Sequence, residues 1–229
     1  MKLTETQIQE LYKFTRAHFV YHYDLQTELV DHLAGGIENQ IAKNPQLSFQ
    51  EALHKEFKKF GIFGFQDVVE ERQKVLSKRY WKIILRFYKE YFTLPKIALT
   101  LLLSVLLFLV LKTIPLGYQN YAISILFVLF LIPSSIKMVI YNRILKKKKR
   151  KWMLEEMLLN NIGAFNFIQL PIQFMNIRFE VVNPYILGII SIFSVSLLLL
   201  FYVMVFIIPP KAEELLAETY PEYKLMQSV

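Results

Sequence analysis

The stretch "PYILGIISIFSVSLLLLFYVMVFII", residues 184–208, runs for 25 residues without a charge. At 1.5 Å per residue, a helix of about this length exceeds the roughly 30 Å of hydrocarbon in a bilayer. Pro184 suits a first helical turn, where its missing N–H is no loss, and Pro209–Pro210 close the run. Composition agrees with a membrane protein: 54% of residues are hydrophobic and mean hydropathy is +0.33.

Working back along the chain, residues 118–140 form another apolar run, in which Pro133 stands beside Ser134 and Ser135, whose hydroxyls can satisfy a carbonyl freed at a kink. Before it, residues 95–114 hold a charge-free segment from Ile97 to Leu111, with Pro95 expected at the first helical position. These two spans read as a hairpin. A third span is placed at 155–177. It is uncharged from Met157 and long enough to cross, yet it carries Asn160, Asn161, Asn166, Gln169, Gln173 and Pro171, so it also reads as a re-entrant or interfacial segment. The expected fold is all-α: a small N-terminal cytoplasmic helical domain (1–92), a four-helix transmembrane bundle (93–210, spans 95–114, 118–140, 155–177 and 184–208) and a cytoplasmic tail (211–229).

The N-terminal part follows helix grammar. Thr4 with Gln7 forms a capping box for a helix reaching about Val20, and Ser48 with Glu51 forms another for a helix that stops at Gly61. Between them, Leu25, Leu29, Leu33, Ile37 and Ile41 mark a helix from about Asp24 to Ala42. A long helix from about Phe65 to Phe92 becomes basic and aromatic in its second half, as befits the headgroup region.

Charge sets the topology. Seven basic and eleven acidic residues lie before Arg72, but eight basic and one acidic between Arg72 and Lys96. "YNRILKKKKRKW", residues 141–152, adds Arg143, Lys146, Lys147, Lys148, Lys149, Arg150 and Lys151. With four spans and an inside N-terminus, the outer loops keep only Lys112 and Arg178, which is the expected cytoplasmic bias. Lys146 to Lys151 therefore read as a topology lock touching anionic lipid, at about 1 kcal/mol per cation near the surface. Direct nucleic-acid binding is not expected, because apolar spans flank the run. The chain opens without a signal-peptide h-region, so its N-terminus is expected to stay in the cytoplasm, and with four spans both termini are expected on the cytoplasmic side of a cytoplasmic (inner) membrane.

Few residues carry recognisable chemistry. The chain has no cysteine, which excludes disulfides and thiolate sites. His18, His22 and His32, with Glu28 and Asp31, are weak metal candidates, since imidazoles and carboxylates at helical spacing can converge on an ion. The plainer reading is that the acids hydrogen-bond a histidine or a helix end. Asn166, Gln169 and Gln173 give the third span a polar face suited to helix packing or to a substrate path. Gly188, Ser191 and Val195 give the fourth a small-residue face. No Gly-rich phosphate loop, nucleophile elbow or H-E-x-x-H occurs, so neither enzyme activity nor a cofactor is expected.

"YDLQTELVDHLAGGIENQ", "SFQEALHKEFKKFG" and "GFQDVVEERQKVLSKRYWK" together resemble HAAS-type signalling domains, helical modules followed by membrane helices and common as four-span forms in Bacteroidetes. The resemblance covers residues 10–90 and points to Glu28, Asp31 and His32 as motif positions. It implies a regulatory role exercised through a partner, a sensory kinase or a PadR-type regulator, with homo-oligomers also compatible. The expected function is thus a membrane-anchored sensory or regulatory protein. Alternatives are a small transporter or permease subunit using the third span's polar face, and a metal-dependent membrane enzyme at the three histidines.

Overall fold

A computed structural model describes residues 2–160, 169–176 and 183–223. Among these residues every regular element is helical. Two compact units emerge: residues 1–78 with 148–156, and residues 79–147 with 157–229. The division falls at Lys78 rather than at Phe92, and it assigns a segment between two apolar helices to the N-terminal unit.

In the first unit, α1 (Glu5–Ala17), α2 (Tyr23–Lys43) and α3 (Phe49–Lys58) precede α4 (Gln66–Lys89), whose first half belongs here. Both capping boxes form. Thr4 accepts from the Gln7 amide at 3.3 Å and Ser48 from the Glu51 amide at 3.3 Å, each answered by the partner's side chain. α1 ends at Ala17, short of the expected Val20, because the chain turns through Phe19 at φ 66°. The Val20 amide then donates to the Thr15 carbonyl and the Phe19 amide to that of Arg16, closing the helix end. Leu11, Leu25, Leu29, Leu33, Ile37, Ala52 and Leu53 form the core, as their helical spacing dictates. One buried acid lies among them: Glu56 of α3 rests on Gly36 of α2, where any Cβ would overlap its carboxylate, and is bonded by Gln40 and by Lys59 at 2.6 Å. Burial opposes its charge, yet those two partners outweigh burial and hold its carboxyl below the ordinary range.

The second unit begins with residues 79–89 of α4 and a 3₁₀ turn, Glu90–Phe92. α5 (Lys96–Thr113), α6 (Gln119–Lys147) and the helical run Pro184–Thr219 are long and apolar enough to cross a membrane. The last comprises α9 (Pro184–Tyr202), a π turn (Val203–Ile207), a 3₁₀ turn (Pro209–Lys211) and α10 (Ala212–Thr219). α7 (Met153–Asn160) and α8 (Leu170–Asn176) lie between α6 and α9. Only 17% of the apolar window of α5 is buried, and Leu101, Leu102, Leu106 and Leu109 are about half exposed. Fully burying such a side chain is worth about 1.5–3 kcal/mol, so this belt requires an apolar surround, which a bilayer supplies.

Three sequence expectations change in this unit. Pro95 is the N-cap of α5 rather than its first helical residue. α6 continues through Lys147, so Lys146 and Lys147 form its last turn. At Pro133 the freed acceptor is the Leu129 carbonyl, whereas Ser134 donates to Phe130 O (2.8 Å) and Ser135 to Leu131 O (2.9 Å). A helical serine hydroxyl reaches the carbonyl four residues before itself, hence the offset from the proline's own acceptor.

α5 packs on α9, and the small or short residues Thr100 and Ser104 of the one and Ser191, Ser194 and Val195 of the other are buried. α8 packs on the start of α6, where Phe174 stacks on Phe127 at 5.4 Å. The expected third span covers residues outside the described set, 161–168 and 177, so its described parts are α7 and α8. Nor is the segment after Pro210 a free tail. Ala212, Leu215 and Leu216 are buried, Glu218 pairs with Arg86 at 3.3 Å, and Lys211 lies over the Phe87 ring at 4.7 Å. Ala212, Leu215 and Leu216 follow helical spacing, which puts one apolar face on α10.

Candidate functional site: a docked inter-span segment

The most elaborate polar arrangement in the first unit is built where α1 turns into α2. His22 is the N-cap of α2 without capping it by its side chain. The backbone amide of Tyr23 donates to the Lys151 carbonyl at 2.7 Å, and Asp24 Oδ1 accepts from the Met153 amide at 3.2 Å. Tyr23 and Trp152 meet edge to face, with ring centroids 5.4 Å apart. His22 Nε2 lies 2.8 Å from Glu156 Oε2. Residues 148–156 are thereby fixed by three consecutive residues, His22, Tyr23 and Asp24. Asp24 serves twice, since its charge at the start of α2 also favours the helix dipole.

The basic run divides along this segment. Lys148 pairs with Glu155, whose side chain is 1% exposed. Arg150 lies over the Tyr23 ring, 4.8 Å from its centroid. Lys146, Lys147, Lys149 and Arg150 are exposed. Within the run expected to touch the membrane surface, Lys148 thus faces a buried carboxylate and Arg150 an aromatic ring.

The histidines are drawn apart. His18 sits against Phe14, Phe57 and Phe65, with Nδ1 at 2.8 Å from the Phe14 carbonyl, and His32 lies on Phe60. His22 faces Glu156. Among the described residues no group of three or more His, Cys, Asp or Glu is placed to hold a metal ion. Glu28 pairs with Arg72 at 3.5 Å, and Asp31 is exposed. Gln169 and Gln173 are exposed, and Asn166 lies outside the described residues. The hydrogen bonds that tie α8 to α6 come instead from Asn120, to Met175 O at 3.3 Å, and Ser124, to Pro171 O at 3.0 Å.

Sequence reasoning missed Tyr23, Asp24, Trp152, Glu155 and Glu156 as a set. One signal was available: adjacent glutamates at 155 and 156 are expensive inside hydrocarbon, so a span starting at 155 left them without a solvent.

No family model, curated protein or solved structure matches the chain. Its site is therefore read from its own geometry.

The Glu156 carboxyl is held below the ordinary range near 4.5, first by the hydrogen bond from His22, against burial, and then by the charges of His22 and Lys151. A carboxyl depressed on folding contributes stability that is complete above its unfolded value and lost as pH falls through the folded one. In a Trp81→Phe background, Trp152 emission should hold steady from neutral pH to about 4.5 and shift as pH drops further. With Glu156→Gln added, that acid response should shrink; superimposable acid profiles would contradict the pairing.

Proposed function

We propose that this chain is a multi-pass membrane regulator whose N-terminal helical unit senses the membrane region through the segment between α6 and α8 and passes the result to a cytoplasmic protein partner. The observation that carries the reading is the docking of residues 148–156 on His22, Tyr23 and Asp24. The first unit is covalently joined to membrane-region helices at 78/79, 147/148 and 156/157. Any displacement of α6 along or about its axis pulls on a segment that is part of the regulatory unit. A partner bound to one of two docking states would shift the balance by its differential affinity.

Connectivity also supports four crossings with both ends cytoplasmic. Residues 148–156 fold with residues 1–78, so α5 and α6 go out and back. Within the second unit, α10 lies on Arg86 and Phe87, just ahead of α5, so the run from Pro184 ends on the side where α5 begins. At the other end, Leu111, Ile123, Phe127, Phe174 and Leu187 form one cluster. The cationic loops set the cytoplasmic face.

Because the chain has no cysteine, single cysteines report sidedness cleanly. Gly117→Cys and Tyr185→Cys should react with an impermeant maleimide on intact cells, while Asn39→Cys and Lys149→Cys should react only after permeabilisation; labelling of Lys149→Cys from outside would overturn the topology. For the partner, affinity purification from native membranes should recover proteins with the full chain that are lost when residues 2–92 are deleted. Identical sets from both would remove the regulatory unit from the account.

A further inference from the structure

Residues 79–89, the second half of α4, read "RYWKIILRFYK", with four cations and no acid. The protein covers one face of this stretch, for Tyr80, Ile83, Ile84 and Phe87 are buried. A second apolar stripe stays open. Trp81, Leu85, Tyr88 and Phe92 recur at spacings of four, three and four residues and so share a side, and the Tyr88 and Phe92 rings meet with centroids 5.0 Å apart. Trp81, Leu85 and Phe92 are exposed, and Leu94, just beyond, is 85% exposed. Lys82 and Lys89 stand three residues before and four after Leu85, which puts them along the flank of the stripe. Both are exposed, and neither enters an ion pair among the described residues.

The surroundings of the stripe decide what covers it. The Tyr88 hydroxyl bonds Ser196, inside the charge-free run of α9, and the Tyr91 ring meets that of Tyr202 nearer the end of the same helix. Thr100 of α5 donates to the Tyr91 carbonyl at 3.0 Å, and Lys96 pairs with Glu90 at 2.9 Å. The end of α4 is therefore folded against two helices that are long and apolar enough to cross a membrane. Through Phe92 and Leu94 the stripe continues into Leu99, Leu101 and Leu102 of α5, part of the belt that needs an apolar surround. A protein seated on the stripe would have to displace lipid from a surface continuous with that belt. Charge agrees, because anionic headgroups answer a helix half that carries only cations, and a Trp ring is at home between water and hydrocarbon.

We infer that the Trp81–Leu85–Phe92 stripe is a binding surface for anionic phospholipid, seated in the interfacial layer of the bilayer with lipid phosphates at Lys82 and Lys89. The surface stands whether or not the first unit recruits a partner, and so goes beyond the regulatory reading.

The experiment uses full-length Trp152→Phe protein in nanodiscs, which leaves Trp81 as the sole tryptophan. Phenylalanine keeps a ring against Tyr23. All nanodiscs hold the same mixture of phosphatidylcholine and phosphatidylglycerol; a fixed minor fraction of the lipid carries bromine near the headgroup end of its acyl chains, on phosphatidylglycerol in one set and on phosphatidylcholine in the other. Trp81 emission should be quenched in both sets, and at least about twofold more strongly where phosphatidylglycerol bears the bromine. Lys82→Gln/Lys89→Gln should bring the two sets together, whereas Lys43→Gln, on α2, should leave their difference in place. Glutamine keeps the helix propensity of α4, so the double variant should retain its helical circular dichroism. Without that substitution, raising the salt concentration should narrow the difference as well. Emission that neither lipid quenches, as for a stripe covered by protein or left in water, overturns the assignment. Equal quenching by the two lipids at low salt, with Lys82 and Lys89 in place, overturns the recognition of anionic lipid.

Discussion

A pair of hydrogen bonds constrains the rest of this molecule: the Tyr23 amide to the Lys151 carbonyl, and the Met153 amide to the Asp24 carboxylate. Each satisfies a backbone group at or near a helix start, where no intrahelical partner exists. Leaving such a group buried and unmade costs about 1–3 kcal/mol, so the two segments hold each other in register. Hydrocarbon turns this local fact into a global one. Polar backbone and charged side chains cannot be left in the bilayer core, so segments that meet in this way share one aqueous side.

α5, α6 and the helical run from Pro184 are each long and apolar enough to cross a membrane. In the proposed topology α5 and α6 form an out-and-back pair, and the run from Pro184 returns to the side where α5 starts, its continuation, α10, resting on Arg86 and Phe87. Within the membrane region α5 and α9 pack together and bury the small polar residues Thr100, Ser104, Ser191 and Ser194, which suits helices for which Leu against Leu gains little where lipid is equally apolar. The π turn at Val203–Ile207, where the Ile208 amide donates to the Val203 carbonyl at 3.0 Å, precedes two prolines with no N–H to give.

How much of this was legible in the sequence depends on range. The capping boxes at Thr4 and Ser48, the four-residue repeat of α2, and the charge-free runs that become α5, α6 and α9 are set by neighbours within a turn or two, and the chain states them openly. Phe19 broke the pattern, since a left-handed aromatic residue at a helix end has no compositional flag. The candidate site escaped for a different reason: His22 and Glu156 stand 134 residues apart, and nothing in either neighbourhood names the other. The basic run was read by its charge alone; the acid that pairs Lys148 follows it in the same segment, whereas the Tyr23 ring under Arg150 comes from the far end of the chain.

Amide hydrogen exchange on the full-length protein in nanodiscs tests the docking most directly. The amides of Tyr23 and Met153 should exchange slowly in the natural chain. In Asp24→Ala the amide of Met153 should lose protection, while those of Leu29 to Leu33, inside α2, stay protected. Exchange at the unstructured rate for both Tyr23 and Met153 in the natural chain would contradict the account, because residues 148–156 would then not belong to the N-terminal unit.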